Sequence, residues 1–204
     1  MSKLSAAIHN NVTKNRSGRL AKFVIAASMT VASGHAFSAV VCGTTSLPAA
    51  VPASTAGLYI NFVTGVVGTP ASAVAGWDFN PFGTSALSFF TTTTATNIAA
   101  IAGGGTGATS PTVLTAGATI GPALTYLATG SGTNPAWRAG VSGQYVGVRF
   151  NNEVTVATNY GWVQMNTTGP NGVPATVLAY CYDNTGAAIT AGTTPVSLQK
   201  FSVD

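Results

Sequence analysis

An alternation of apolar and polar residues across residues 143–183 constrains the fold of this chain more than any other feature of its sequence. Val146, Val148 and Phe150 occupy every second position of one run, and a period of two places their side chains on one face of a strand. Further strand-like runs follow at residues 154–158, 160–165 and 175–182. Asn, Gly and Pro residues between the last two runs indicate a turn. The stretch therefore predicts the core of a β-sheet.

Shorter strand-like runs, separated by Gly, Pro, Asn and Thr, fill much of the remaining chain. Leu58, Ile60 and Phe62 occupy alternate positions of a strand predicted at residues 57–64. Closing strands are predicted within residues 187–190 and 196–203. Many short strands with such turns predict an all-β fold, a single β-sandwich domain with a jelly-roll arrangement as a variant.

Residues 1–38 have the three-part pattern of a secretory signal peptide. A polar region containing five basic residues precedes an apolar run at residues 23–32. That run is too short to cross a bilayer as a helix, which needs about 20 residues. Ala36 and Ser38 favour cleavage after Ser38, with cleavage after Ala36 as the alternative. The sequence therefore predicts a secreted protein, extracellular or at the cell surface.

Removal of this leader reverses the sign of the charge. The whole chain has 8 basic and 4 acidic residues, a formal net charge of +4. Five basic residues lie in the leader, which leaves three basic against four acidic residues, a net charge of −1. Because backbone contacts to nucleic acid need clustered Lys and Arg, no nucleic-acid partner is predicted. Both histidines, His9 and His35, also lie in the leader.

The residues after the leader predict one domain preceded by a less regular segment. Residues 39–56 contain Pro48 and Pro52, which allow at most a short edge strand around Val40 and Val41. We expect this segment to be irregular and available for exchange as an edge strand. The β-sandwich domain is predicted at residues 57–204.

Two cysteines, Cys42 and Cys181, remain after cleavage and would meet an oxidising compartment. A disulfide between them is the predicted arrangement. It would close a loop of more than a hundred residues and stabilise the fold by about 4–5 kcal/mol in the chain-entropy model. Free thiols, or thiols paired between molecules, are the alternative.

Three elements of the core stretch form a recognisable series. They are the Tyr-Val-Gly-Val-Arg-Phe run at residues 145–150, the Tyr-Gly-Trp-Val run at 160–163, and the run at 175–182 that begins with Ala-Thr and ends with Tyr. This series resembles the core of secreted bacterial proteins of the PEP-CTERM and choice-of-anchor type. The resemblance covers a minor part of the chain, and implies a β-rich, exported protein of unassigned biochemical function.

The end of the chain departs from that group. Residues 200–204 follow no Pro-Glu-Pro motif, no apolar helix and no Arg cluster. We therefore expect no transmembrane anchor in the mature chain. Attachment to a surface would then be non-covalent or through assembly.

The side chains that commonly perform catalysis are scarce after the leader. No histidine remains, and Glu153 is the one glutamate, so a Ser-His-Asp triad and a His-based metal site are excluded. Asp183, in a Tyr-Asp-Asn turn, is predicted to cap its own backbone, and Asp78 to do the same. We expect no enzyme, no catalytic residue, no metal and no cofactor.

Tryptophans suggest a carbohydrate-binding alternative, because flat aromatic rings stack on sugars while Asp and Asn bind hydroxyls. The candidate glycan-binding residues are Trp77, Asp78, Asn80 and Trp137, which lie near predicted turns. Trp162 lies inside a strand and is predicted to be core.

Arg149 lies opposite in phase to Val146 and Val148 and is predicted to have a structural role. We expect its side chain to be exposed, to pair with Glu153 across the turn, or to stack on Tyr160 or Trp162. Contact with a ligand is the alternative.

Two functions follow from these observations. The first is a secreted, non-catalytic structural or interaction protein of the bacterial cell surface or extracellular matrix, including the subunit of a self-assembling filament. Few charged side chains guard its strand edges, so self-association through edge strands is the expected partnership. The second is a secreted carbohydrate-binding module whose partner is a surface glycan.

Overall fold

The computed structural model describes residues 40–43, 45–92, 99–103, 110–127 and 134–195, all within one compact unit that spans residues 36–204. The predicted signal peptide and the strand predicted at 196–203 lie outside the described residues. The all-β prediction is confirmed, because antiparallel strands dominate the described residues. A four-residue helix, α1 (Pro135–Arg138), and a 3-10 turn (Ala71–Ala73) are their helical elements.

The strands of the described residues are β1 (Val40–Gly43), β2 (Ala49–Val51), β3 (Tyr59–Ile60), β4 (Val67–Gly68), β5 (Phe79–Phe82), β6 (Ser88–Thr91), β7 (Ala100–Ala102), β8 (Thr119–Ile120), β9 (Tyr126–Leu127), β10 (Val141–Asn151), β11 (Thr158–Thr167), β12 (Ala175–Asp183) and β13 (Ile189–Thr190). The closing strand predicted at residues 187–190 is thus present as β13.

The large sheet has the strand order β1-β12-β11-β10-β7-β9, and β2 pairs with β12 beside β1. Its centre is the meander β10–β11–β12, which comes from the alternating stretch of the sequence. The predicted strand at residues 154–158 is wrong, because the side chain of Asn152 accepts hydrogen bonds from the amides of Val154 and Thr155 and makes a turn there. Strand β11 begins only at Thr158.

The small sheet, in the order β4-β3-β5-β6, covers one face of the large sheet. Phe62 lies at the centre of the contact, with its ring centroid 5.0 Å from that of Phe150 and 5.2 Å from that of Tyr180. Phe79 and Phe89 stack behind it at 5.6 Å. Each fully buried side chain of this size stabilises the fold by about 1.5–3 kcal/mol. Two sheets packed over one apolar core form the predicted β-sandwich.

The opposite face of the meander is also covered. Ile120 of β8 and Ile189 of β13 pack with Tyr145 and Trp162 in a second buried cluster. Trp162 is 3% exposed, so its prediction as a core residue is confirmed. Burial on both faces explains why the sequence of β11 is apolar at consecutive positions rather than at every second one.

The segment at residues 39–56 contributes two strands to the edge of the large sheet, so the prediction of an irregular segment with at most one short strand is wrong. β1 pairs antiparallel with the C-terminal half of β12, and β2 with its N-terminal half. Cys42 lies directly opposite Cys181, and the predicted disulfide between them is present, with their Cα atoms 4.0 Å apart. Exchange of this segment with another molecule remains a prediction.

Candidate interaction surface

Asn61 is a buried polar residue that ties three loops together at one end of the small sheet. Its side-chain NH2 donates to the carbonyl oxygens of Ala75 and Gly76, each at 2.9 Å, and to Oε1 of Glu153 at 2.7 Å. Its Oδ1 accepts from the amides of Val63 at 2.9 Å and Thr64 at 2.8 Å. Because Asn61 turns the chain in this way, β3 ends at Ile60 and is shorter than the strand predicted at residues 57–64.

Three aromatic rings form a row beside this junction. The centroid of Trp77 lies 5.0 Å from that of Tyr59, at an interplanar angle of 70°, and 5.8 Å from that of Phe90. Alternation explains the arrangement, because Ile60 and Phe89 point into the core and their neighbours Tyr59 and Phe90 point outward. Phe90 is 40% exposed, and Tyr59 and Trp77 are partly buried.

Three exposed valines lie in the loops that Asn61 joins. Val154 and Val156 are 75% and 84% exposed in the β10–β11 turn, directly after Glu153. Val66 is 43% exposed, and its carbonyl oxygen accepts a hydrogen bond from the backbone N–H of Asn61 at 3.0 Å. Together with Phe90, these valines are the exposed large hydrophobic side chains of the described residues. We call the six residues Tyr59, Val66, Trp77, Phe90, Val154 and Val156 the exposed apolar surface.

The charged side chains of the described residues all take part in holding the fold. Asp78 Oδ2 accepts the buried Phe62 amide at 2.8 Å. Glu153 accepts from Asn61, and Arg138 Nε donates to the carbonyl oxygen of Leu87 at 2.9 Å.

The guanidinium of Arg149 lies 4.8 Å from the centroid of the Tyr126 ring. Asp183 Oδ1 accepts from the amides of Thr185 at 2.9 Å and Ala187 at 3.2 Å.

Two of these arrangements differ from the sequence-based expectation. Asp183 caps its own turn, as predicted, whereas Asp78 accepts the amide of Phe62, sixteen residues earlier, in the turn that follows β3. Arg149 has the predicted structural role, but it stacks on Tyr126 rather than on Tyr160 or Trp162. No local pattern indicated this ring, because β9 precedes β10 in sequence but is separated from it in the sheet by β7.

Three of the four candidate glycan-binding residues are buried, which corrects the prediction that they contact a ligand. Asp78 and Trp137 are 0% exposed and Asn80 is 2% exposed. The side-chain NH2 of Asn80 donates to the carbonyl oxygen of Ala56 at 2.6 Å, and Trp137 packs edge-on against Phe89. Proximity to a turn in sequence does not determine which face of the sheet a side chain occupies. Trp77 alone of the four reaches the exposed apolar surface.

Ligand and membrane features give two further findings. In the described part of the chain, no three His, Cys, Asp or Glu side chains are grouped so that they could hold a metal ion. Nor does any helix in that part have the length and apolar character needed to cross a membrane.

Comparison with known proteins gives no relative: no family model, no curated protein and no solved structure matches this chain.

Proposed function

We propose that this chain is a secreted, non-catalytic structural or interaction protein of the bacterial cell surface or extracellular matrix that associates with further copies of itself. The observation that carries the proposal is the exposed apolar surface, in which the contacting rings of Trp77 and Phe90 remain partly open to solvent. Val154 and Val156 are exposed in the turn that the Glu153–Asn61 hydrogen bond joins to the small sheet. Exposed apolar patches on soluble proteins mark interaction sites, and aromatic side chains dominate the binding energy of such contacts.

The distribution of charge supports this type of function. The five charged side chains of the described residues are engaged in hydrogen bonds or ring stacking that position the backbone, as given above. Such engagement suits a scaffold, because a general acid or base must be able to reach a substrate. With the predicted leader removed, the net charge of −1 also gives little electrostatic repulsion between copies.

Three features support export. They are the leader pattern at residues 1–38, the Cys42–Cys181 disulfide, and the resemblance of the meander to secreted PEP-CTERM-type proteins. Disulfides persist in oxidising compartments and are rare in the cytosol.

The test compares the exported wild-type protein with Trp77→Ala and Phe90→Ser by size-exclusion chromatography with light scattering over a range of concentrations. We expect the wild-type mass to rise with concentration, and each variant to need about ten times more protein for the same rise, which corresponds to about 1.4 kcal/mol. Thr194→Ala, an exposed change after β13 on the opposite side of the large sheet, is the matched control and should behave as wild type. Identical curves for the wild type and both aromatic variants would refute the role of this surface.

Carbohydrate binding is the second candidate, and the row Tyr59–Trp77–Phe90 is the observation that favours it. Flat, partly exposed rings suit the apolar faces of sugars. A glycan array with the wild-type protein and Trp77→Ala tests this candidate. Binding that disappears in the variant would place this function ahead of self-association, and an array with no signal would remove it.

A further inference from the structure

The N-terminal strands are held by a single neighbour. We call residues 40–51 the strap. Among the described strands, β1 and β2 of the strap pair with β12 and with no other. Its apolar side chains nevertheless enter the cores on both faces of the large sheet: Val41, Leu47, Ala49 and Val51 on one face, Val40 and Cys42 on the other. Departure of the strap would uncover apolar surface on two faces and the hydrogen-bonding edge of β12.

The edge of β12 accepts the strap in one register. Cys42 lies opposite Cys181, and Gly43 lies opposite Tyr180. A Cβ atom at Gly43 would lie 2.1 Å from the buried Tyr180 ring, so a larger side chain at that position requires this ring to shift within the core. A strand shifted by one residue would present its side chains to the wrong faces and would place Cys42 away from Cys181. The strap is therefore the strand that this edge is shaped to accept.

The connection between the strap and the rest of the fold is short. From Ser54 onward the chain is fixed to the small sheet, because the Ser54 carbonyl oxygen accepts the Gly83 amide at 3.1 Å and the Leu58 amide donates to Pro81 at 3.0 Å. The strap ends at Val51, on the large sheet. Residues 52 and 53 therefore bridge the two sheets, and a change of direction at these two residues would redirect the whole strap.

We propose that the strap exchanges between molecules, so that the β12 edge of one copy holds the strap of a second copy in the same register. This exchange rests on the proposed self-association: the partner is a second copy of the chain, the surface is the β12 edge, and the bond is Cys42–Cys181. The second copy is the occupant because its strap reproduces the Cys-Gly register and refills both apolar clusters. Exchange of an identical element conserves every contact and costs little beyond the association itself.

The exchanged arrangement joins the two molecules covalently, with Cys42 of one copy bonded to Cys181 of the other. Formation of the bond removes two protons and two electrons from two thiols. A small-molecule disulfide such as oxidised glutathione accepts them, leaving as two thiols through a mixed-disulfide intermediate. The same oxidation within one molecule gives the disulfide seen in the structure, so the position of the strap at oxidation decides between the two products.

Complementary variants test the exchange directly. A chain with Cys42→Ala keeps Cys181 on β12, and a chain with Cys181→Ala keeps Cys42 on its strap, so neither can close the bond alone. The two are exported together with their own N-terminal segments and analysed by non-reducing electrophoresis and peptide mapping. We expect Cys42–Cys181-linked heterodimers in clear excess over the homodimers that random thiol oxidation produces. A heterodimer share equal to random pairing would overturn the proposal.

Donor variants test the register. Gly43→Ala in the chain that supplies Cys42 should reduce the heterodimer several-fold, because the added methyl group meets the Tyr180 ring. Ala50→Ser, at an exposed position of β2, is the matched control and should leave the yield unchanged. Equal yields from both donors would contradict native-register exchange and point to unspecific oxidation.

Wild-type protein provides a second measurement that does not depend on the folding of any variant. Isotope-labelled and unlabelled exported protein are mixed, reduced, unfolded and refolded in a glutathione buffer at increasing concentration. Exchange predicts Cys42–Cys181 peptide pairs of mixed label whose share rises with concentration; pairs of uniform label at every concentration would overturn it. If all pairs have uniform label but the intramolecularly bonded protein still associates by light scattering, strap exchange is rejected and the proposed function stands. If mixed-label pairs form but the intramolecularly bonded protein does not associate, only the role of the exposed apolar surface is rejected.

Discussion

Opening the Cys42–Cys181 bond should remove a large part of the stability of this protein. The two cysteines are 139 residues apart in sequence. In the chain-entropy model, release of a loop of that length gives the unfolded chain an advantage of about 5 kcal/mol. Since single domains are stable by only about 5–15 kcal/mol, reduction should bring this fold close to its stability limit.

The assay is urea unfolding, followed by Trp fluorescence and far-UV circular dichroism, of three forms: oxidised protein, reduced protein and Cys42→Ala/Cys181→Ala. For a slope of about 2 kcal/mol per molar urea, the expected loss lowers the midpoint by about 2.5 M. The reduced and doubly substituted forms should unfold at similar midpoints, because both lack the bond. Addition of reductant to the double variant is the control and should change nothing.

The β-sheet signal of the reduced protein in dilute buffer should remain native, because β1 is a four-residue strand at the edge of the large sheet and the meander does not depend on it. A midpoint shift of less than about 0.5 M would refute the reasoning, since the bond would then constrain the unfolded chain far less than its loop length requires.

Three further predictions concern single positions. Burial, followed by the charges of neighbouring groups, raises the pKa of Tyr180 from 10.0 to about 12, so the folded state retains this proton more tightly than the unfolded state. Its contribution to stability is therefore complete below pH 10 and lost as the pH rises towards 12, and Tyr180→Phe should flatten that fall in alkaline unfolding curves. Val156 has a φ of 58°, which is unfavourable for a β-branched residue, and it is 84% exposed. Val156→Asn should therefore raise the free energy of unfolding by about 1 kcal/mol, whereas the control Val154→Asn should not. A lower free energy of unfolding for Val156→Asn would contradict backbone strain at this position. Gly161→Ala should lower the free energy of unfolding by about 1–3 kcal/mol, because the new Cβ atom would lie 2.7 Å from the Cys181 carbonyl oxygen. Gly68→Ala is the control: its Cβ atom would lie 3.7 Å from the nearest neighbour, so it should lower the free energy of unfolding much less in the same denaturation assay.

Local periodicity determined the parts of the fold that were predictable. Val146, Val148 and Phe150 are buried on one face of β10, as their spacing indicated, and the cysteines pair as their number indicated. The limits of the strands were less predictable, because side chains such as Asn61 and Asn152 end strands through hydrogen bonds to the amides two and three residues later. Asn is compatible with a strand or a turn, and its tertiary partners decide between them.

The candidate site was predictable only in part, because exposure depends on which sheet face a residue occupies. Trp77 and Trp137 both lie near turns in sequence, yet Trp77 reaches solvent while Trp137 is fully buried against Phe89. Strand phase could have indicated Phe90, since it follows the buried Phe89. The contribution of Val154 was missed because its run was taken for a strand.

Sedimentation velocity of the disulfide-intact wild-type protein over a wide range of concentrations tests the central proposal most directly, namely that this β-sandwich functions through contact with its own copies. The account predicts a sedimentation coefficient that increases with concentration, and a weaker increase for Phe90→Ser. A single monomeric species at every concentration would contradict it.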